Sequence, residues 1–158
     1  MRDDVKGFSL IELVMVIVIV SILLLVLVKW PTTDANIYGE ARKIASDLRY
    51  IQHLSQTKQQ RYRINFTANN YTLTNLDNTL FVVQVANNQS TQTLPAGMSL
   101  TTNLPNGYLV FSEQGVPYVD NQTPGTVLSS TATITLTVAG KIEVISVYPT
   151  TGAVIVNP

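Results

Sequence analysis

The sequence predicts an α+β chain: a long N-terminal helix, apolar in its first half and amphipathic in its second, packed on an antiparallel β-sheet head. Three observations carry that prediction. Phe8 to Val28 is an apolar run interrupted by one acid, Glu12. Ile37, Ala41, Ile44, Ala45, Leu48, Ile51 and Leu54 then recur at the three-or-four spacing of one helix face. Past residue 59 the chain breaks into short segments rich in β-branched and aromatic residues, separated by Asn-rich turns, the pattern of strands.

The first element is set by its surroundings. At about 1.5 Å per residue, the run from Phe8 to Val28 spans roughly 31 Å, one hydrocarbon core. Val and Ile dominate it, yet lipid imposes a helix, because no water is there to satisfy the backbone. Lys29 and Trp30 occupy the positions of a snorkelling cation and an interfacial aromatic. Pro31 ends the run and biases Trp30 away from helix. A cleaved secretory peptide would have a shorter apolar core followed by a small-residue site, whereas here the small residue, Gly7, precedes the core. Glu12 is the anomaly. An ionised carboxylate at the bilayer centre costs about 2.5–3.5 kcal/mol, so a plain anchor would carry a leucine there.

The second element follows the turn-like stretch PTTDAN, residues 31–36, in which Thr33, Asp34 or Asn36 supplies a cap. The amphipathic helix is expected to reach about Lys58, with Arg42, Lys43, Asp47 and Arg49 opposite its apolar stripe. Strands are then expected at RYRINF (61–66), YTLTN (71–75), TLFVVQV (79–85), YLVF (108–111) and VPYV (116–119). TATITLTV and KIEVISV, joined by Ala139-Gly140, read as a hairpin. AVIV (153–156) closes the head, and the Asn/Gln/Thr-rich stretch 86–93 reads as an exposed loop.

Composition excludes several function classes. Ten Lys+Arg balance ten Asp+Glu among 158 residues, so no net charge draws the chain to nucleic acid or acidic lipid. With no cysteine there is no disulfide scaffold, thiolate nucleophile or Cys-ligated metal. His53 is the one histidine, and the acids past residue 64, Asp77, Glu113, Asp120 and Glu143, stand singly. No catalytic site, cofactor or metal is expected. Arg42, Lys43, Arg49, Lys58, Arg61 and Arg63 concentrate positive charge near the helix–strand junction. Such a run is ordinarily a solvated face, and its other use is phosphate contact with nucleic acid. Asn-X-Ser/Thr matches at Asn65, Asn70, Asn88 and Asn121 are what an Asn/Thr-rich chain produces by chance.

KGFSLIEL, from Lys6 to Leu13, closely resembles the cleavage and methylation signature of type IV pilins and type II secretion pseudopilins. The resemblance implies that a prepilin peptidase removes a leader, Met1–Gly7, by cutting between Gly7 and Phe8. It implies that Phe8 becomes the N-methylated terminus and that Glu12 is the assembly carboxylate, meeting the terminal ammonium of a neighbouring subunit. Asp3 and Asp4 offset Arg2 and Lys6, in a leader that tends to be basic in this family. The head, from ARKIASDLRYIQ through the terminal hairpin, PTTG and AVIV, resembles the GspH/FimT group of minor pilins and H-type pseudopilins. That group places its helix on two antiparallel sheets. The implied organisation is leader 1–7, transmembrane or filament-core helix 8–30, amphipathic half 31–58 and β-rich periplasmic head 59–158. The implied role is a minor subunit of a type II secretion pseudopilus or a type IV pilus-like filament, held in the bacterial inner membrane by a single span. Other pilins and the prepilin peptidase are its implied partners. Two alternatives stand beside it: a DNA-binding minor pilin of natural transformation, and an anchored β-domain that joins no filament.

Overall fold

The computed structural model of the chain describes residues 9–28, 33–76 and 89–157. Gly7, Phe8, the Lys29–Pro31 boundary and the expected strand at 79–85 lie outside them. The chain divides into two units, 1–32 and 33–158.

The first unit contains helix α1, Leu10–Val28. Every side chain described on it, from Leu10 to Leu23, is exposed. Among the described residues no helix is long and apolar enough to cross a membrane. The span read from Phe8 to Val28 therefore rests on the sequence.

The second unit opens with α2, Thr33–Lys58. Thr33, Asp34 and Asn36 all fall within this helix, so none of the three stands ahead of it as a cap. Six of the seven expected stripe residues, Ile37, Ala41, Ile44, Ala45, Leu48 and Ile51, are buried. Leu54 is only half-buried, and Ser55 is buried beside it with its hydroxyl donated to Ile51 O at 2.8 Å. Asp47 is not on the solvent side, however. It is 3% exposed, because the Tyr71 hydroxyl donates a 2.6 Å hydrogen bond to its Oδ2. That contact lets a carboxylate enter the stripe, where an unsatisfied one would be strongly disfavoured.

Two antiparallel sheets complete the head. The first holds β1 (Tyr62–Phe66), β2 (Asn70–Asn75), β3 (Thr91–Thr93), β5 (Tyr108–Phe111) and β6 (Pro117–Tyr118), in the order β3-β2-β1-β5-β6. The second holds β4 (Met98–Thr102), β7 (Ala132–Val138), β8 (Lys141–Val147) and β9 (Val154–Asn157), in the order β4-β7-β8-β9. The β7–β8 hairpin turns on Ala139 (φ 48°) and Gly140 (φ 80°), two successive left-handed residues as a type I′ turn requires. Ile64, Tyr71, Leu73, Leu109 and Phe111 from the first sheet meet Leu100, Ile134, Leu136, Ile145 and Val147 from the second in one core with the α2 stripe.

Two strands depart from expectation. Thr91–Thr93, read as part of an exposed loop, is β3, whose Gln92 pairs with Tyr71 and is buried. The Gln92 amide donates to Gln89 O at 2.8 Å, which makes a glutamine tolerable inside. Strand β4 had no predicted counterpart, although its alternating Met98 and Leu100 are buried.

Candidate functional site

Glu12 is the only charged residue of α1. Ser9 stands just ahead of the helix, and the Glu12 N–H donates both to Ser9 O at 3.1 Å and to Ser9 Oγ at 3.3 Å. Ser9 is thus the N-cap, three residues before a glutamate, the spacing of a capping box. The Glu12 carboxylate is exposed, and among the described residues no cation lies within ion-pair distance of it. Farther along, the Ser21 hydroxyl donates to Ile17 O at 2.7 Å, so the other polar side chain of α1 is satisfied within the helix. From Leu10 to Leu23, α1 presents an exposed apolar surface with, among the described residues, one uncompensated carboxylate in its first turn.

The six cations of the head do not form one face. Arg63 is no surface residue: it is buried on β1, with its guanidinium 4.6 Å from the centre of the Tyr108 ring. An aromatic face suits a desolvated guanidinium, and that contact takes the side chain inward. Arg61 donates to Gln122 O at 2.7 Å and lies 3.8 Å from Glu113. Lys43 pairs with Glu40 at 3.1 Å. Arg49 donates to Val154 O at 2.7 Å, and Arg42 lies over the Tyr38 ring at 4.3 Å. Lys58 is exposed at the end of α2, and His53 is exposed on the same helix. Among the described residues no group of three or more His, Cys, Asp or Glu is placed to hold a metal ion.

Residues 2–28 match the family described as the prokaryotic N-terminal methylation motif. The helix-plus-two-sheets architecture matches the minor pseudopilin EpsH of the type 2 secretion system of Vibrio cholerae, with a TM-score of 0.58 at 14% identity, over 77% of this chain and 96% of that one. The fold is pilin-like. A second match to this pilin-like fold is the type IV minor pilin FimU of Pseudomonas aeruginosa, with a TM-score of 0.57 at 14% identity, over 80% of this chain and 92% of that one. At such identities the likeness is one of fold. No curated protein matches the chain.

Sequence reasoning missed three residues that hold this pilin-like fold together. Tyr71 and Asp47 form the buried pair described above. Asp47 lies three residues after Ile44 and four before Ile51, so its position in the helical period was the available signal. Gln52 donates both to Gly115 O at 2.9 Å and to Thr151 O at 2.8 Å, joining a turn of each sheet to α2. No sequence signal marks that bridge.

Proposed function

We propose that this chain is a minor pilin or pseudopilin: a subunit held in the inner membrane by residues 8–30, processed between Gly7 and Phe8, and drawn through its N-terminal helix into a pseudopilus or pilus-like filament. The observation that carries the proposal is Glu12, a lone exposed carboxylate on an otherwise apolar, exposed helix inside a methylation motif. An apolar helix of this kind needs a cover, either lipid or other helices. In lipid the carboxylate is a penalty. Among stacked helices it becomes an attachment point, because a buried charge is tolerated when paired and costs several kcal/mol when its partner is removed. The N-terminal ammonium of processed Phe8 on a neighbouring subunit is the proposed partner. Glu12 thereby selects one axial offset between subunits, the offset that brings an ammonium to it. The fold shared with EpsH and FimU supports a place among minor subunits, and the head faces the periplasm in this reading.

Mass spectrometry of the chain purified from membranes tests the proposal. The expected result is loss of Met1–Gly7 and a single added methyl on Phe8. An intact Met1 in cells that possess a prepilin peptidase refutes it.

A further inference from the structure

Strand β9 is an edge of the second sheet, and its open side faces α2. Tyr148 N–H donates to Ala153 O, while Arg49 donates to Val154 O. Alternate residues of a strand send their backbone groups to opposite sides. The polar groups of Ala153 and Ile155 therefore serve β8, and those of Val154 and Val156 point to the open edge. Arg49 occupies one of those carbonyls. Among the described residues nothing bonds the N–H and C=O of Val156 or the N–H of Val154, which leaves a short, unfilled ladder.

A groove of about 500 Å³ runs along this edge, lined by Tyr38, Arg42, Arg49 and Val154–Val156. Its lining contains two cations and no acid. Lys43 and Arg61 each have a carboxylate neighbour, but among the described residues neither Arg42 nor Arg49 forms an ion pair. The margins are apolar and open, with Tyr38 37% exposed and Ile155 45% exposed. Exposed edges are usually blunted by charge, proline or a bulge. Here the charge is a pair of arginines set beside the ladder, on the helix and not on the strand.

We propose that this groove takes an extended, carboxylate-bearing segment of a partner protein, which adds to β9 as a fifth strand of the sheet and lays acidic side chains on Arg42 and Arg49. The backbone of such a segment completes the ladder, the mode in which main-chain bonds supply affinity and alternate side chains supply specificity. Arg42 and Arg49 stand seven residues apart, about 10 Å along α2, within reach of carboxylates two residues apart on a strand, about 7 Å. Tyr38 and Ile155 give the same segment an apolar contact on either side. Nucleic acid fits less well: it offers no ladder of amides, and its binding needs more phosphate contacts than two arginines provide. The proposal is independent of leader processing and of polymerisation.

The test uses the full chain in detergent micelles and fluorescein-labelled heptapeptides, Thr-Glu-Val-Glu-Val-Glu-Thr and its lysine counterpart, with binding read by anisotropy. The acidic peptide is expected to bind at least about tenfold more tightly than the lysine peptide, a difference that two ion pairs and their reversal supply. Arg42→Glu, a substitution at an exposed residue, should weaken it by about tenfold. Val156→Pro removes a donor only from the open edge, where proline is tolerated, and should weaken the acidic peptide while leaving the circular dichroism spectrum unchanged. Equal binding of the two peptides overturns the proposal, as does acidic-peptide binding that ignores Arg42→Glu. Displacement of the acidic peptide by equimolar oligothymidine overturns it too and makes the groove a nucleic-acid site.

Discussion

Tyr71→Phe isolates a buried polar pair that links α2 to the first sheet. The substitution removes a single oxygen from a fully buried ring, so little is lost from packing. What remains is the Asp47 carboxyl without its donor, 3% exposed and with no other hydrogen bond from a side chain described here. Hydrogen bonds to charged groups contribute about 1.5–3 kcal/mol, and the 2.6 Å distance places this one among the short, charge-assisted bonds. A loss of about 2 kcal/mol is expected near pH 7, equal to roughly 5–15 °C in melting temperature for a domain of this size. The loss should also depend on pH. Burial raises the Asp47 carboxyl above its ordinary value, against the opposing pull of the Tyr71 hydrogen bond and then of Lys43. A raised carboxyl favours the folded state most fully below the unfolded carboxylate pKa, and that contribution fades as pH climbs through the folded pKa. In Tyr71→Phe the opposing pull is gone, so the deficit opens as pH rises and shrinks toward that of a neutral bond, about 1 kcal/mol, in acid. Urea titrations of wild type and variant at pH 3.5 and 7, followed by circular dichroism, measure both numbers. A deficit below 0.5 kcal/mol at pH 7, or one that grows in acid, refutes the reasoning.

Gly152→Ala should destabilise the head by at least about 2 kcal/mol, since Gly152 has φ +66° and an added Cβ would lie 2.9 Å from Gly115 O; thermal melts of the two proteins check it. Gly7→Val should block leader removal, visible as an uncut chain on mass analysis, and normal processing would count against the signature at Lys6–Leu13. Glu12→Val should leave cleavage and membrane insertion intact but lower crosslinking of the subunit to its partner pilins, by an amount set by the several kcal/mol of a broken buried pair; wild-type incorporation would sink the register argument.

How much was legible depended on whether the signal was local. The α2 stripe, the β7–β8 hairpin and the strands at YRINF and YLVF were readable because period and turn chemistry act over a few residues. Strand β3 was hidden by its composition: a Thr-Gln-Thr triplet looks like a loop until Gln92 is given Gln89 O as a partner. Strand β4 was hidden because its apolar alternation has only two members, Met98 and Leu100, in a stretch otherwise polar. The basic residues misled most. Six cations within about twenty positions suggested one patch, but helix and strand geometry sends Arg63 inward and Arg61 and Lys43 to separate acids. At the N-terminal site the position of Glu12 was plain from sequence. The cap supplied by Ser9 required coordinates, because a hydroxyl ahead of a helix becomes a cap only when the first turn closes on it.

The side-chain bonds from α2 to loops and edge strands also have a mechanical meaning. Arg49 holds Val154 O, Gln52 holds Gly115 O and Thr151 O, and Gln56 holds Gln114 O at 3.1 Å. All four spring from residues 49–56, about 10 Å of helix. A pull on the head that enters at Thr33 travels along the helix axis and loads these bonds side by side. None can be opened first and the rest peeled after it, as happens when strands are unzipped from one end. Because the bonds reach turns of both sheets, the load is divided between the sheets before it meets either hairpin. A head without a single disulfide thus resists extraction of its helix by shear.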